Sequence, residues 1–136
     1  MKMTFDTDAI LFSLLKNSSV KNAINGNIYV GDGRPVDSKD EDIVVNTIYL
    51  TSDFHPQIGT SNVNIYVPDT DVQIGGRKQK KSNRVRLKAL AEKTMDTLRN
   101  TKVEGLLFTI DSQNILAESE VDQHFVNIRI SWNIQN

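Results

Sequence analysis

The chain has 136 residues, a formal net charge of −1 and no cysteine. That length suits one domain with a real hydrophobic core, while near-neutrality excludes a general polyanion binder. The lack of cysteine excludes a disulfide framework and a thiolate metal site, and no apolar run approaches the ~18 residues of a membrane span.

Met1–Thr7 lacks the basic-then-apolar pattern of a signal peptide, so the expectation is a soluble protein made in a cytoplasm, with no membrane partner. The first element is a helix. Asp6, Thr7 and Asp8 are cap candidates, Ile10, Leu11, Leu14 and Leu15 form an apolar stripe, and Phe5 is placed to staple the entry. Asn17-Ser18-Ser19 breaks this helix, and Val20, Ala23 and Ile24 predict one more short turn. Asn25-Gly26 reads as a left-handed helix end. Asn27–Val30 is a brief strand, and Gly31–Pro35 is a turn.

Ile43–Thr51 is rich in β-branched residues and reads as a strand. Ser52–Ser61 reads as a loop. Asn62–Val67 alternates strictly, with Val63, Ile65 and Val67 on one face and Asn62, Asn64 and Tyr66 on the other, so this strand has one wet or partner-facing side. The two strands are expected to pair antiparallel.

Residues 69–82 read as a basic loop, ending in Gly75-Gly76-Arg77-Lys78-Gln79-Lys80-Lys81-Ser82. A long helix follows, capped by Ser82 or Asn83, with an apolar stripe of Leu87, Leu90, Ala91, Thr94, Met95 and Leu98. Seven of the sixteen Lys and Arg residues lie between Arg77 and Lys88. Arg84 and Arg86 fall near the first turn, where the helix dipole makes a cation cost roughly 0.3–1 kcal/mol each, so solvent screening or an anionic partner must offset them.

Beyond the helix, Leu106–Ile110 is a buried-strand candidate, Asp111–Asn114 is turn-like, and Ile115–Val121 continues or bulges. The last strand alternates Val126, Ile128, Ile130, Trp132 and Ile134 with Asn127, Arg129, Ser131 and Asn133. At a chain terminus it is an edge candidate open to pairing with another chain. The expected class is α+β, a mainly antiparallel β-sheet with two helices packed on one face, in a single domain spanning residues 1–136.

No catalytic constellation stands out. His55 and His124 lack companion metal ligands at workable spacing, and His124 reads as a surface histidine opening the last strand. No G-x-S-x-G nucleophile motif occurs. Asp111, Glu118, Glu120 and Asp122 cluster at one hairpin, where carboxylates hold a metal, act as acid and base, or simply keep a rim soluble. Gly75, Lys81 and Ser82 match three positions of a P-loop, but Lys80 replaces the glycine that lets backbone amides close on phosphate. The expectation is no enzyme, no cofactor and no metal.

The order of segments resembles the tail-completion, or tail-terminator, proteins of long-tailed bacteriophages and prophages. The resemblance runs through the leading helix, the Asn25–Tyr29 turn into a strand, the Pro35 loop, the strand ending at Pro68, the Leu87–Leu98 helix and the closing His124–Arg129 hairpin. Asp42–Asn46 and Val63–Asp69 are similar to versions from phages and prophages of gut Bacteroidetes-type bacteria.

The resemblance implies a structural protein of the virion, located at the head-proximal end of the tail. It implies a homo-oligomeric ring, usually of six subunits, that ends the tail tube, meets the tail tube protein and the head connector protein, and lets genome DNA pass. Ring contacts between identical subunits need two different complementary patches. The basic residues Arg77, Lys78, Lys80, Lys81, Arg84 and Arg86 are candidates for a subunit-facing or DNA-facing patch. The acidic residues Asp37, Asp40, Glu41 and Asp42 are candidates for the subunit contact. Rival readings are a small nucleic-acid-binding module using residues 77–88, which lacks a nearby aromatic stacking platform, and a nuclease using the carboxylate hairpin.

Overall fold

The computed structural model describes residues 1–135. Its elements are α1 (Thr4–Lys16), α2 (Ser19–Ala23), β1 (Ile28–Val30), β2 (Asp42–Leu50), β3 (Gln57–Pro68), β4 (Thr70–Ile74), β5 (Arg77–Lys81), α3 (Arg84–Arg99), β6 (Leu106–Glu118), a 3-10 turn (Ser119–Val121) and β7 (Gln123–Ile134). The main sheet has the order β1-β2-β3-β7-β6, while β4 and β5 form a separate two-stranded sheet. Only the β1–β2 pair is parallel. The fold is α+β, with α1 against β1 and β2 and α3 against β3, β6 and β7.

Periodicity explains the layers. Alternate residues of β2, β3 and β7 (Ile43 and Val45; Val63, Ile65 and Val67; Val126, Ile128, Ile130, Trp132 and Ile134) form one core with Leu11, Leu15, Leu87, Leu90, Met95 and Leu98. Each fully buried aliphatic side chain of this kind contributes about 1.5–3 kcal/mol. The α3 stripe is the predicted one, and Asn83 caps the helix by accepting from the Arg86 N–H at 3.2 Å.

A polar thread crosses the apolar layer. Trp132 Nε1 donates to Ser61 Oγ at 2.7 Å, Ser61 Oγ meets Thr47 Oγ1 at 2.7 Å, and Thr47 Oγ1 meets Thr7 Oγ1 at 2.6 Å. Thr7 Oγ1 donates in turn to the Thr4 carbonyl at 2.9 Å. A carbonyl only accepts, so Thr7 spends its one hydrogen on Thr4 and must accept from Thr47, which in turn accepts from Ser61; every hydroxyl along the line passes its hydrogen the same way, from Trp132 toward Thr4. The thread ties β7, β3, β2 and α1 with no group left unsatisfied.

Several expectations are corrected. Helix α1 starts at Thr4, earlier than expected, so Asp6, Thr7 and Asp8 lie within it; Asp6 still serves the cap from the first turn by accepting from the Met3 N–H, whereas buried Asp8 takes the Thr47 N–H. Phe5 is exposed and staples nothing. Gly26 does not have a positive φ; its requirement is space, because a Cβ there would run into the Asp42 carboxylate and the Glu41 carbonyl. Strand β3 begins at Gln57, inside the expected loop, and a bulge between Thr47 and Tyr49 keeps β2 in register with it. The expected loop at 69–82 is a β-hairpin over residues 70–81. Asp111–Asn114 is no turn, since β6 runs through it with a bulge between Ile110 and Ser112. Finally, β7 is not an edge. It lies between β3 and β6, and the long edge is β6.

Candidate assembly surfaces

Three features stand out: a basic hairpin arm, a network around the acidic loop, and the uncovered β6 edge. The arm leaves the sheet at Pro68. Its root is held where the Asp69 N–H donates to the Asp122 carbonyl at 2.9 Å and the Asp69 carboxylate meets His124 Nδ1 at 2.7 Å. His124 is thus a half-buried partner of the arm's root rather than a simple surface histidine. Gly75 and Gly76 make the two-residue turn with φ of 57° and 77°, the left-handed pair that a tight hairpin needs and that glycine adopts at no steric cost.

Within the arm, opposite residues share a face. Asp71 and Lys80, with Gln73 and Lys78, occupy one face; Val72 and Gln79, with Ile74 and Arg77, occupy the other. Asp71 bridges Lys80 at 2.8 Å and Lys78 at 3.4 Å. The Lys80 ammonium, and then Lys78, hold the Asp71 carboxyl below its usual value. Arg77 and Lys81 have no such carboxylate within the arm. Lys81 and Ser82, two matched positions of the near P-loop, close the β5 strand and its exit rather than a phosphate-cradling turn. The carboxylate count on the arm is one against four cations.

The predicted acidic loop divides in two. Asp37 and Asp40 are exposed, whereas Glu41 and Asp42 are buried. Asp42 accepts from Arg34 Nε at 2.8 Å, Ser38 Oγ at 2.6 Å and the Asn27 N–H at 2.8 Å. Arg34, at the turn before the acidic run, also donates to Gln123 Oε1 at 2.9 Å and lies 4.0 Å from the Tyr66 ring centre. Tyr66 stacks on Phe125 with centroids 4.8 Å apart. In the sequence Arg34 shows only as a cation just ahead of an acidic run that itself contains Lys39.

Glu41 takes two hydrogen bonds from Arg86, at 2.6 and 2.8 Å, and Arg86 also donates to the Ala23 carbonyl. That pairing holds the Glu41 carboxyl below the ordinary value and raises Arg86. Of the six basic candidates, Arg86 is therefore a brace inside the chain. Arg77, Lys78, Lys80, Lys81 and Arg84 are exposed. The structure thus joins one member of the basic set to one member of the acidic set within a single subunit.

Strand β6 is the third feature. None of its residues is fully buried, and Leu107, Ile115 and Leu116 are exposed apolar side chains on it. Between β6 and α3 lies an open groove of about 490 Å³, lined by Val85, Ala91, Met95, Ile115 and Val126 with Lys88 at its rim. Asp111, Glu118, Glu120 and Asp122 fall along β6 and its 3-10 turn, and among the described residues no group of three His, Asp or Glu side chains is placed to hold a metal ion. No helix among the described residues is long and apolar enough to cross a membrane. The open sheet face carries an amide cluster, with Asn127 Nδ2 donating to Asn64 Oδ1 at 2.7 Å and to Asn62 Oδ1 at 3.1 Å.

No protein-family model matches the chain. No curated protein matches it either. Among solved structures, the chain is similar in fold to a chain of the virion of a native gene transfer agent particle, with a TM-score of 0.57 and 9% identity over 93% of this chain and 92% of that one.

Proposed function

We propose that this chain is a non-enzymatic structural protein of a virion, acting as a tail terminator. In this reading identical subunits form a ring, hexameric by resemblance, at the head-proximal end of a phage tail. The ring stops tube growth, contacts the tail tube protein and the head connector protein, and leaves a lumen for genome DNA.

The observation that carries the virion reading is the agreement in fold, over nearly the whole of both chains, with a component of a gene transfer agent virion. The terminator assignment rests on the segment-order resemblance read from the sequence. The surfaces fit an assembly role. A hairpin arm stands off the body, one sheet edge is left open, and the exposed charges are segregated into basic and acidic tracts, as a heterologous ring contact requires. The arm cations Arg77, Lys78, Lys80 and Lys81, with Arg84, supply the basic patch, and exposed Asp37 and Asp40 are candidate subunit contacts.

Electron microscopy of purified tails, with the protein carrying a small label, tests this. Label expected at the head-proximal end in ring stoichiometry supports the reading. Complete tails without the protein at that end overturn it.

A further inference from the structure

We infer that the β4–β5 arm of one copy adds its basic edge, β5, to the uncovered β6 edge of a second copy of this chain, continuing the main sheet across the subunit boundary. As a ring contact this rests on the terminator reading; as a self-association it stands alone.

The first argument is the state of the arm. A two-stranded hairpin by itself is marginal in water. No helix or strand of the body packs broadly on this one, and Val72 and Ile74 remain 37% and 44% exposed. Its backbone has an unpaired row of N–H and C=O groups along β5. Such a segment gains most from a partner that supplies both a ladder and cover.

The second argument is the state of the other edge. Sheets blunt their edges with short strands, lysine, proline or a covering loop. The β1 edge is blunt because β1 has three residues. Strand β6 has thirteen residues, contains no Lys, Arg or Pro, and carries the exposed apolar side chains Leu107, Ile115 and Leu116. It is left open in the single chain, with only its bulge to interrupt pairing.

Charge selects the match. The stretch 103–121 holds Glu104, Asp111, Glu118 and Glu120 and no cation, whereas β5 is Arg77-Lys78-Gln79-Lys80-Lys81. Like charges facing across a strand pair destabilise it and opposite charges stabilise it. An acidic edge therefore rejects a second acidic edge, which disfavours β6 pairing with β6, and accepts β5. Arm-to-edge contact is head-to-tail, so repeated copies close into a ring where the rotation allows. Nucleic acid fits the arm less well. Asp71 sits between Lys78 and Lys80, and phosphate would leave Val72 and Ile74 uncovered.

Two sets of variants test the contact. Thr70 and Lys81 face each other at the root, so replacing residues 71–80 with Asn-Gly closes the strand stubs without touching the body. This armless chain should keep the wild-type melting temperature and lose self-association in light scattering. Because the chain has no cysteine, Gln79→Cys and Asn114→Cys can be made in separate copies and mixed with a short bis-maleimide. A linker of about 10 Å tolerates a register error of some three residues. Cross-links are expected between the two variants, with little between copies of the same variant. Asp111→Lys with Glu118→Lys should weaken association at least tenfold at low salt.

An armless chain that associates like wild type, or cross-links confined to identical variants, overturns the inference and leaves the tail location untouched. Armless rings that form normally but fail to retain DNA also overturn it and assign the arm to the lumen. A protein that stays monomeric at every concentration and on tails overturns it too. Arm-dependent association of a protein absent from tail ends supports the contact while removing the terminator reading.

Discussion

Arg86 and Glu41 show how a residue of a charge run can belong to the interior. The pair fastens the first turn of α3 to the end of α2 and the start of β2, and the Glu41 oxygens anchor Asn25 as well. Replacing Arg86 with Met should destabilise the fold by roughly 1–3 kcal/mol, the range for hydrogen bonds to charged groups, tempered because water reaches about a third of the Arg86 side chain. Chemical denaturation of the variant measures this. The pH dependence has a definite sign. Glu41 is lowered in the folded state, so its contribution is complete above the ordinary value of 4.5 and is lost as pH falls through the lower folded-state value. The stability gap between wild type and Glu41→Gln should therefore be open at neutral pH and close in acid; a gap that widens in acid would contradict the assignment. Gly26→Ala should destabilise or fail to fold, since the added methyl meets backbone and carboxylate together. None of these pairings was legible beforehand. Sequence shows that a cation and an acid exist, not that a 45-residue separation folds them into contact.

At the scale of the element, the long amphipathic segments were readable and the short polar ones were not. The α3 stripe and the alternation of β3 and β7 each repeat over enough residues that burial of one face leaves a single solution. Leu90→Ala or Ile130→Ala should cost roughly 2–5 kcal/mol, because both side chains are almost wholly buried. A loss under half a kcal/mol in either variant would place the residue on the wrong face. The arm defeats such reading because Arg77-Lys78-Gln79-Lys80-Lys81 has no apolar period. Its pairing is dictated by Gly75-Gly76, a two-residue hairpin signal set among flanking charges that carry no strand period. Asp111–Asn114 misleads for the opposite reason. Turn-forming side chains stand in a strand because β7 supplies a continuous ladder and the bulge absorbs the extra residue. Replacing Gly75 and Gly76 together with Val should melt the arm alone, visible as faster amide exchange over residues 70–81 with the melting temperature of the body unchanged.

For the whole molecule, fold class was legible, but the β4–β5 pair between β3 and α3 and the placement of the last strand were not. A terminal strand is an edge only if nothing pairs beyond it, and here β6 pairs outside β7. The open edge thus moves from a strand whose one formal charge is Arg129 to an acidic one, which changes the partner it selects. Assembly through that edge should be salt-sensitive, since charges facing solvent are screened within about 8 Å at physiological ionic strength. Sedimentation at 50 mM and 500 mM salt should show the larger species retreating at high salt. DNA in a ring lumen would show its own linear dependence of log affinity on log salt, measurable once rings are isolated.

The hydroxyl thread that ends at Trp132 gives the protein a built-in optical gauge. Trp132 is the single tryptophan of the chain and is 1% exposed, and its ring lies 5.1 Å from that of Phe108 on β6, the edge a second copy would extend. Its emission therefore reports on the interior and, through Phe108, on the strand at that edge. Thr47→Val, which cuts the thread next to Ser61, should alter that emission in the isolated subunit. Light emitted and light scattered can thus be read on one sample. A variant that loses scattering while its tryptophan spectrum matches that of the dilute wild-type subunit has lost its neighbour and kept its fold.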